Sequence, residues 1–192
     1  MRRNLKWQLI IVGLLGVMLL DSCGSDTLVE QPSNIQILEE DLIEIQAYID
    51  NKGYTDVDTT TSRVRFVVLD EGNGEAIEYN DIVSVHYVGR FLDEEIFDTS
   101  IDTVDINNDS FDSLSRYQPF VFTHTESGWA LETLGFVQGF ADGTTASLKQ
   151  MNVGGMARMI IPSPLGYGSS GNAVIPSNSI LIFDVYPVKV RK

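Results

Sequence analysis

The 192-residue chain carries 27 acidic against 13 basic residues, a formal net charge of −14, and 43% hydrophobic residues. That length suffices for one domain with a real core plus an extension. So acidic a surface is repelled by phosphate backbones and anionic headgroups, which argues against nucleic acid as a partner, and the single cysteine, Cys23, excludes an internal disulfide.

At the start of the chain, Arg2, Arg3 and Lys6 precede an unbroken apolar or glycine run from Leu9 to Leu20. The run falls short of the about 20 apolar residues a membrane-spanning helix needs, and it suits a secretory signal peptide over residues 1–22. Leu20-Asp21-Ser22-Cys23 resembles a bacterial lipoprotein cleavage box, with Cys23 as the lipidated first residue, although Asp21 stands where a small or apolar residue is usual. The alternative is an ordinary signal peptide or a short N-terminal anchor. Loss of residues 1–22, which carry a net +2, takes the charge from −14 to −16. Membrane attachment would then rest on the lipid and not on charge. Residues 23–33 are polar and acidic, contain Pro32, and read as a lipidated tether.

An N-terminal helical extension and linker are expected over 34–62. Asn34 reads as the helix N-cap, Ile37, Leu38, Asp41, Leu42, Ile45 and Ile49 recur at helical spacing, and Gly53 is a stop signal. That stripe is expected to pack on the domain that follows, over residues 63–192. Thr55 to Ser62 reads as polar linker. Strand patterns then appear at Val64–Leu69, ending in the turn 70–74, and at Ile82–Leu92, where Val83, Val85 and Tyr87 share one face and Ser84 and His86 the other. A short strand is expected at Phe120–Phe122, a helix at Gly139–Met151, and strands at Ala157–Ile161 and Ile180–Val190. Pro187 removes a ladder donor, so it must sit at a strand end, a bulge or an unpaired edge. Strands, one helix, then strands give an antiparallel α+β class.

Several chemistries are excluded. His86 and His124 have no Cys, Asp or Glu at metal-ligand spacing, which predicts no metal, and His86 reads as an exposed sheet histidine. Gly154-Gly155 precedes Met156 rather than a phosphate-binding lysine. Ser163 lies in a Pro-rich loop rather than a nucleophile elbow. No cofactor is implied.

Val83-Ser84-Val85-His86-Tyr87-Val88-Gly89, Ile96-Phe97-Asp98-Thr99-Ser100, Ile161-Pro162-Ser163-Pro164-Leu165-Gly166-Tyr167-Gly168, Ile175-Pro176 and Leu181-Ile182-Phe183-Asp184-Val185 follow one another in an order that resembles the FKBP-type prolyl isomerases over roughly residues 63–190. The resemblance implies a twisted antiparallel sheet wrapped around a short helix. It places Phe97, Phe120, Phe136, Val137, Phe140, Ile175 and Phe183 as substrate-binding residues, and Tyr87, Asp98 and Tyr167 as the catalytic polar contributors. It also implies proline-containing client polypeptides, and possible macrolide-type inhibitors, as partners. Phe140 stands where the family usually has Trp. The stretch 101–118 is longer and more acidic than usual, and the family's basic residue near it has no secure counterpart, Arg116 being a candidate. Residues 123–135 and 144–149 also look extended. Loops carrying Phe111 and Trp129 either shape client recognition or are plain surface. Two functions follow: an exported isomerase, or a non-catalytic client-binding module with the same fold.

Overall fold

The computed structural model describes residues 32–109, 112–113, 117–127, 129–133 and 135–192. The expectations that fall on residues 1–31, including Cys23, and on Phe111, Arg116 and the Trp129 side chain lie outside the described residues. The first element is helix α1, Asn34–Lys52. Its N-cap is Ser33 rather than Asn34. The Ser33 hydroxyl accepts from the Gln36 N–H at 3.3 Å, and the Gln36 side chain accepts from the Ser33 N–H at 2.8 Å. This reciprocal pair satisfies two orphan donors at once, and Asn34, already helical, cannot form it. Gly53, at φ 70°, ends the helix in the left-handed conformation that glycine adopts without strain.

Among the described residues seven strands follow: β1 (Val57–Thr59), β2 (Arg65–Asp70), β3 (Ile82–Phe91), β4 (Ile96–Thr99), β5 (Phe120–Thr123), β6 (Met156–Ile161) and β7 (Leu181–Arg191). They form one sheet in the order β1-β2-β6-β7-β3-β4, with β5 pairing the other half of β3, and every pairing is antiparallel. With helices α2 (Asp102–Asn107), α3 (Trp129–Thr133) and α4 (Gln138–Leu148), this is the α+β class expected. The segment expected as linker instead supplies β1, an edge strand pairing Val57 with Val67 and Thr59 with Arg65. Its Val-Asp-Thr sequence carries little apolar signal because one side of an edge strand faces water. Pro187 lies beside a bulge: Ser84 faces Lys189 and Val85 faces Pro187, so Val188 is the extra residue.

Both faces of the sheet centre are covered. On one face α4 packs against Val64, Phe66, Val83, Val85, Met159, Ile161, Phe183 and Val185. On the other, Ile45, Tyr48 and Ile49 of α1 cover Ile160, Ile180 and Ile182. Hence β6 and the first half of β7 are buried on both sides, and their sequences run apolar almost without alternation. The exceptions are Arg158 and Asp184, cross-strand partners beneath α1. Arg158 Nε and Nη2 donate to the two Asp184 carboxylate oxygens at 2.6 and 2.8 Å. Its Nη1 donates to the Tyr48 hydroxyl at 2.8 Å and to Glu94 at 3.1 Å. Arg90 Nε reaches Asp184 at 3.3 Å, and Lys52 pairs with Glu94. A fork matched to a carboxylate is the geometry in which arginine binds most strongly.

Candidate functional site: an aromatic hollow

Three strands, β3, β4 and β7, converge with the entry to α4 on one point. Tyr87 projects from the α4 side of β3. Opposite it, β4 pairs Gly89 with Asp98 and Arg90 with Ile96, leaving Phe97 in a bulge. The Phe97 ring lies over Gly89, where a Cβ would come within 2.7 Å of it and within 2.9 Å of the Phe183 ring. Glycine is therefore required at 89 for this close approach. Phe136 and Val137 enter α4 and Phe140 follows on its first turn. Tyr167 comes from the loop after the 3₁₀ turn Ser163–Leu165.

These side chains enclose a cavity of about 200 Å³ lined by Tyr87, Phe97, Asp98, Gly135, Phe136, Val137, Phe140, Tyr167 and Phe183. Phe140 is fully buried at its base and stacks on Phe136 with centroids 4.4 Å apart and planes at 16°. Tyr87 meets Phe136 and Phe140 edge-on, each at 5.9 Å, and Phe97 meets Phe183 at 5.6 Å and 89°. Such offset and edge-to-face contacts hold rings in fixed directions.

Against these walls stand few polar groups. The Tyr87 hydroxyl donates to Asp98 Oδ2 at 2.7 Å. Burial, and then this bond to a carboxylate, push the Tyr87 phenol above its ordinary value, so it keeps its proton and points it at Asp98 at neutral pH. The backbone beneath Tyr87 is pinned by residues that sequence reading passed over. Its N–H donates to Ser100 Oγ at 2.9 Å, and its carbonyl accepts from Thr99 Oγ1 at 2.9 Å and from the Ser100 N–H at 3.0 Å. Asp98-Thr99-Ser100 is a run of side-chain acceptors and donors, and that was the available signal. Tyr167 lines the hollow and is 38% exposed.

Two site expectations are placed differently. Phe120 lines an adjoining hollow of about 360 Å³ with Asp105, Gln118, Pro119 and the far side of Tyr87 and Phe136, and its ring lies 4.7 Å from Phe136. Ile175 packs in the core and is not among the residues lining either hollow. Asn172 brackets it, accepting the Ile175 N–H on its side chain at 2.7 Å and donating its own N–H to the Ile175 carbonyl at 2.8 Å. The histidines also differ from expectation in part. His86 is half-buried, with Nδ1 2.9 Å from Ser100 Oγ. His124 is buried, its ring nitrogens each 3.3 Å from a backbone carbonyl, of Glu78 and Thr145. Among the described residues no three of His, Cys, Asp or Glu converge as metal ligands, and no helix is long and apolar enough to cross a membrane.

The likeness to known proteins falls on the same segments. A protein from Haemophilus influenzae described as a probable FKBP-type peptidyl-prolyl cis-trans isomerase is 32% identical over 139 residues, covering 71% of this chain and 46% of its own length. The Escherichia coli K12 isomerase FkpA is 30% identical over 135 residues, covering 70% of this chain and 40% of the relative. The chain thus spans less than half the length of these relatives. The crystal structure of E. coli FkpA superposes with a TM-score of 0.51 at 26% identity, covering 80% of this chain and 61% of that one. A Pseudomonas syringae peptidyl-prolyl isomerase, at 23% identity and TM-score 0.50, shares the fold. The profile of the FKBP-type peptidyl-prolyl cis-trans isomerases matches residues 73–186, more than half of the chain, and the chain belongs to that family.

Proposed function

We propose that this chain accelerates cis–trans rotation of Xaa–Pro bonds in exported client polypeptides, with the proline ring seated in the aromatic hollow. The observation that carries the reading is the enclosed set of Phe97, Phe136, Phe140 and Phe183 walls with the Tyr87–Asp98 bond at its edge. Amide rotation faces a barrier of about 18–20 kcal/mol because the planar form is stabilised by resonance. Planarity also separates charge, which water solvates. Transfer to dry aromatic walls removes that solvation from the planar form more than from the twisted one. In this reading Tyr167 donates to a client carbonyl as it swings out of plane, and Asp98 holds Tyr87 and the client backbone at the rim. Macrolide-type ligands would compete for the same walls. The second reading, a client-binding module without useful turnover, draws support from phenylalanine at 140 and from the adjoining hollow beside α2, which widens the binding surface.

The test is NMR exchange on Xaa–Pro peptides with the full chain in mild detergent. Acceleration that a macrolide-type ligand suppresses is the expected result. A folded chain that binds the peptides without speeding exchange, over several residues before proline, would sink the catalytic reading in favour of the binding module.

The N-terminal sequence supports a finer proposal, that the chain is exported and held at a bacterial envelope through lipid on Cys23. The expectation is that Cys23→Ser moves the protein from the membrane to the soluble fraction of an expressing cell. Continued membrane attachment of that variant would point to an uncleaved anchor.

A further inference from the structure

Helix α1 reaches the hollow indirectly, through the loop that carries Tyr167. Asp41 lies on the inward stripe of the helix and is 7% exposed. Its Oδ2 accepts the Ser163 N–H at 2.6 Å. The Ser163 carbonyl in turn accepts the N–H of Gly166 at 3.0 Å and of Gly168 at 2.9 Å, the two residues flanking Tyr167. Both faces of one peptide residue are thereby engaged: its amide by the helix, its carbonyl by the two ends of the tyrosine segment. A charged acceptor makes such a bond shorter and about twice as strong as a neutral one. The same helix also holds the turn leading into β4. Tyr48 donates to Glu94 at 2.6 Å and Lys52 pairs with it. Glu94 precedes the strand carrying Asp98.

We propose that Asp41 is a positioning residue for the isomerase site, setting the Tyr167 hydroxyl over the hollow through Ser163. The proposal rests on the catalytic reading above. It makes α1 part of the frame of the site and not only an extension that joins the domain to the tether. Asp41 touches no client; it acts only through the loop.

The full chain in mild detergent is assayed as wild type, Asp41→Ala and Asp41→Asn, each also combined with Tyr167→Phe. Asp41→Ala is expected to lower kcat/KM about tenfold, the scale of a small misplacement of a working group. In the Tyr167→Phe background it is expected to cost nothing further, because coupled residues are not additive. Asp41→Asn keeps an acceptor of the same shape, and should lose only roughly two- to threefold, with the same dependence on Tyr167. It carries the test alone if the alanine variant does not fold. Equal losses in both Tyr167 backgrounds would mark a purely structural role and overturn the proposal, as would wild-type turnover in both Asp41 variants. Hydrogen exchange of the Gly166 and Gly168 amides separates the two levels of the argument. Faster exchange in Asp41→Asn is expected whether or not the chain turns over peptide, and unchanged exchange overturns the brace. A wild-type chain without turnover overturns the catalytic reading itself, and the positioning role with it.

Discussion

Asp98→Ala is expected to lower kcat/KM towards Xaa–Pro peptides by about ten- to hundredfold, a barrier increase of roughly 1.4–2.8 kcal/mol. The carboxylate is exposed at the rim and receives the Tyr87 hydroxyl at 2.7 Å. Removing it frees that hydroxyl to turn towards water and takes the one carboxylate from the wall of the smaller hollow. Exposed substitutions outside the core shift stability little, within about 0.5 kcal/mol, so thermal melting should stay near wild type while turnover falls. Tyr87→Phe removes the other half of the bond and should reproduce part of the loss. Combining the two should cost less than the sum, because they act through one contact. NMR exchange on the same peptides reads both. Full turnover by a folded Asp98→Ala chain would remove the Tyr87–Asp98 pair from the mechanism and leave desolvation by the aromatic walls as its source.

Arg158→Met is expected to produce the largest stability loss, roughly 3–5 kcal/mol, because it leaves a buried carboxylate without its main partner. Asp184 is 1% exposed, and after the substitution only Arg90, at 3.3 Å on a single nitrogen, faces it. A loss of that size is a large part of the roughly 5–15 kcal/mol that holds an ordinary domain together. Pairing the change with Asp184→Leu should recover most of it, since an apolar pair of similar volume removes the desolvation cost of both ions. Urea unfolding of the single and double variants measures the difference. A single variant as stable as wild type would show that Arg90 alone can carry the buried Asp184 charge.

Much of this arrangement was legible in the residues. The alternation from Ile82 to Phe91 marked the strand that carries Tyr87 and which of its faces points inward, and β7 was legible from its β-branched run. Other parts were not, for identifiable reasons. Strand β4 has four residues and a bulge at Phe97, so it leaves no period-two pattern; the signal for it lay across the sheet, in the bare backbone of Gly89. Strand β1 is a polar edge. Helix α2 is short, and the sequence around it reads as an acidic loop. The pairing of Arg158 with Asp184 spans two strands 26 residues apart in sequence, and nothing local to either residue announces it. Ile175 was assigned to the wall by resemblance; the structure shows it in the core cluster that also holds Phe140 and Phe183, bracketed by Asn172. Among the residues that line the hollow, Tyr87, Phe97, Asp98, Phe136, Val137, Phe140, Tyr167 and Phe183 were all named from sequence, while the polar run of Thr99 and Ser100 did not say which backbone it clamps until the structure set it under Tyr87.

The sheet order has a consequence for how the chain comes together. Strand β7 sits between β6 and β3, and among the described residues no other strand joins those two halves. It also supplies Ile182, on which α1 closes, and Asp184, which holds the arginine bonded to Tyr48 of α1. A chain emerging from its N-terminus therefore has neither a continuous sheet nor a fully covered α1 until β7 is free. The contacts that close it join residues far apart in sequence, a pattern of long loop closures that slows folding. Such a sheet stays in two halves during synthesis and is locked by β7.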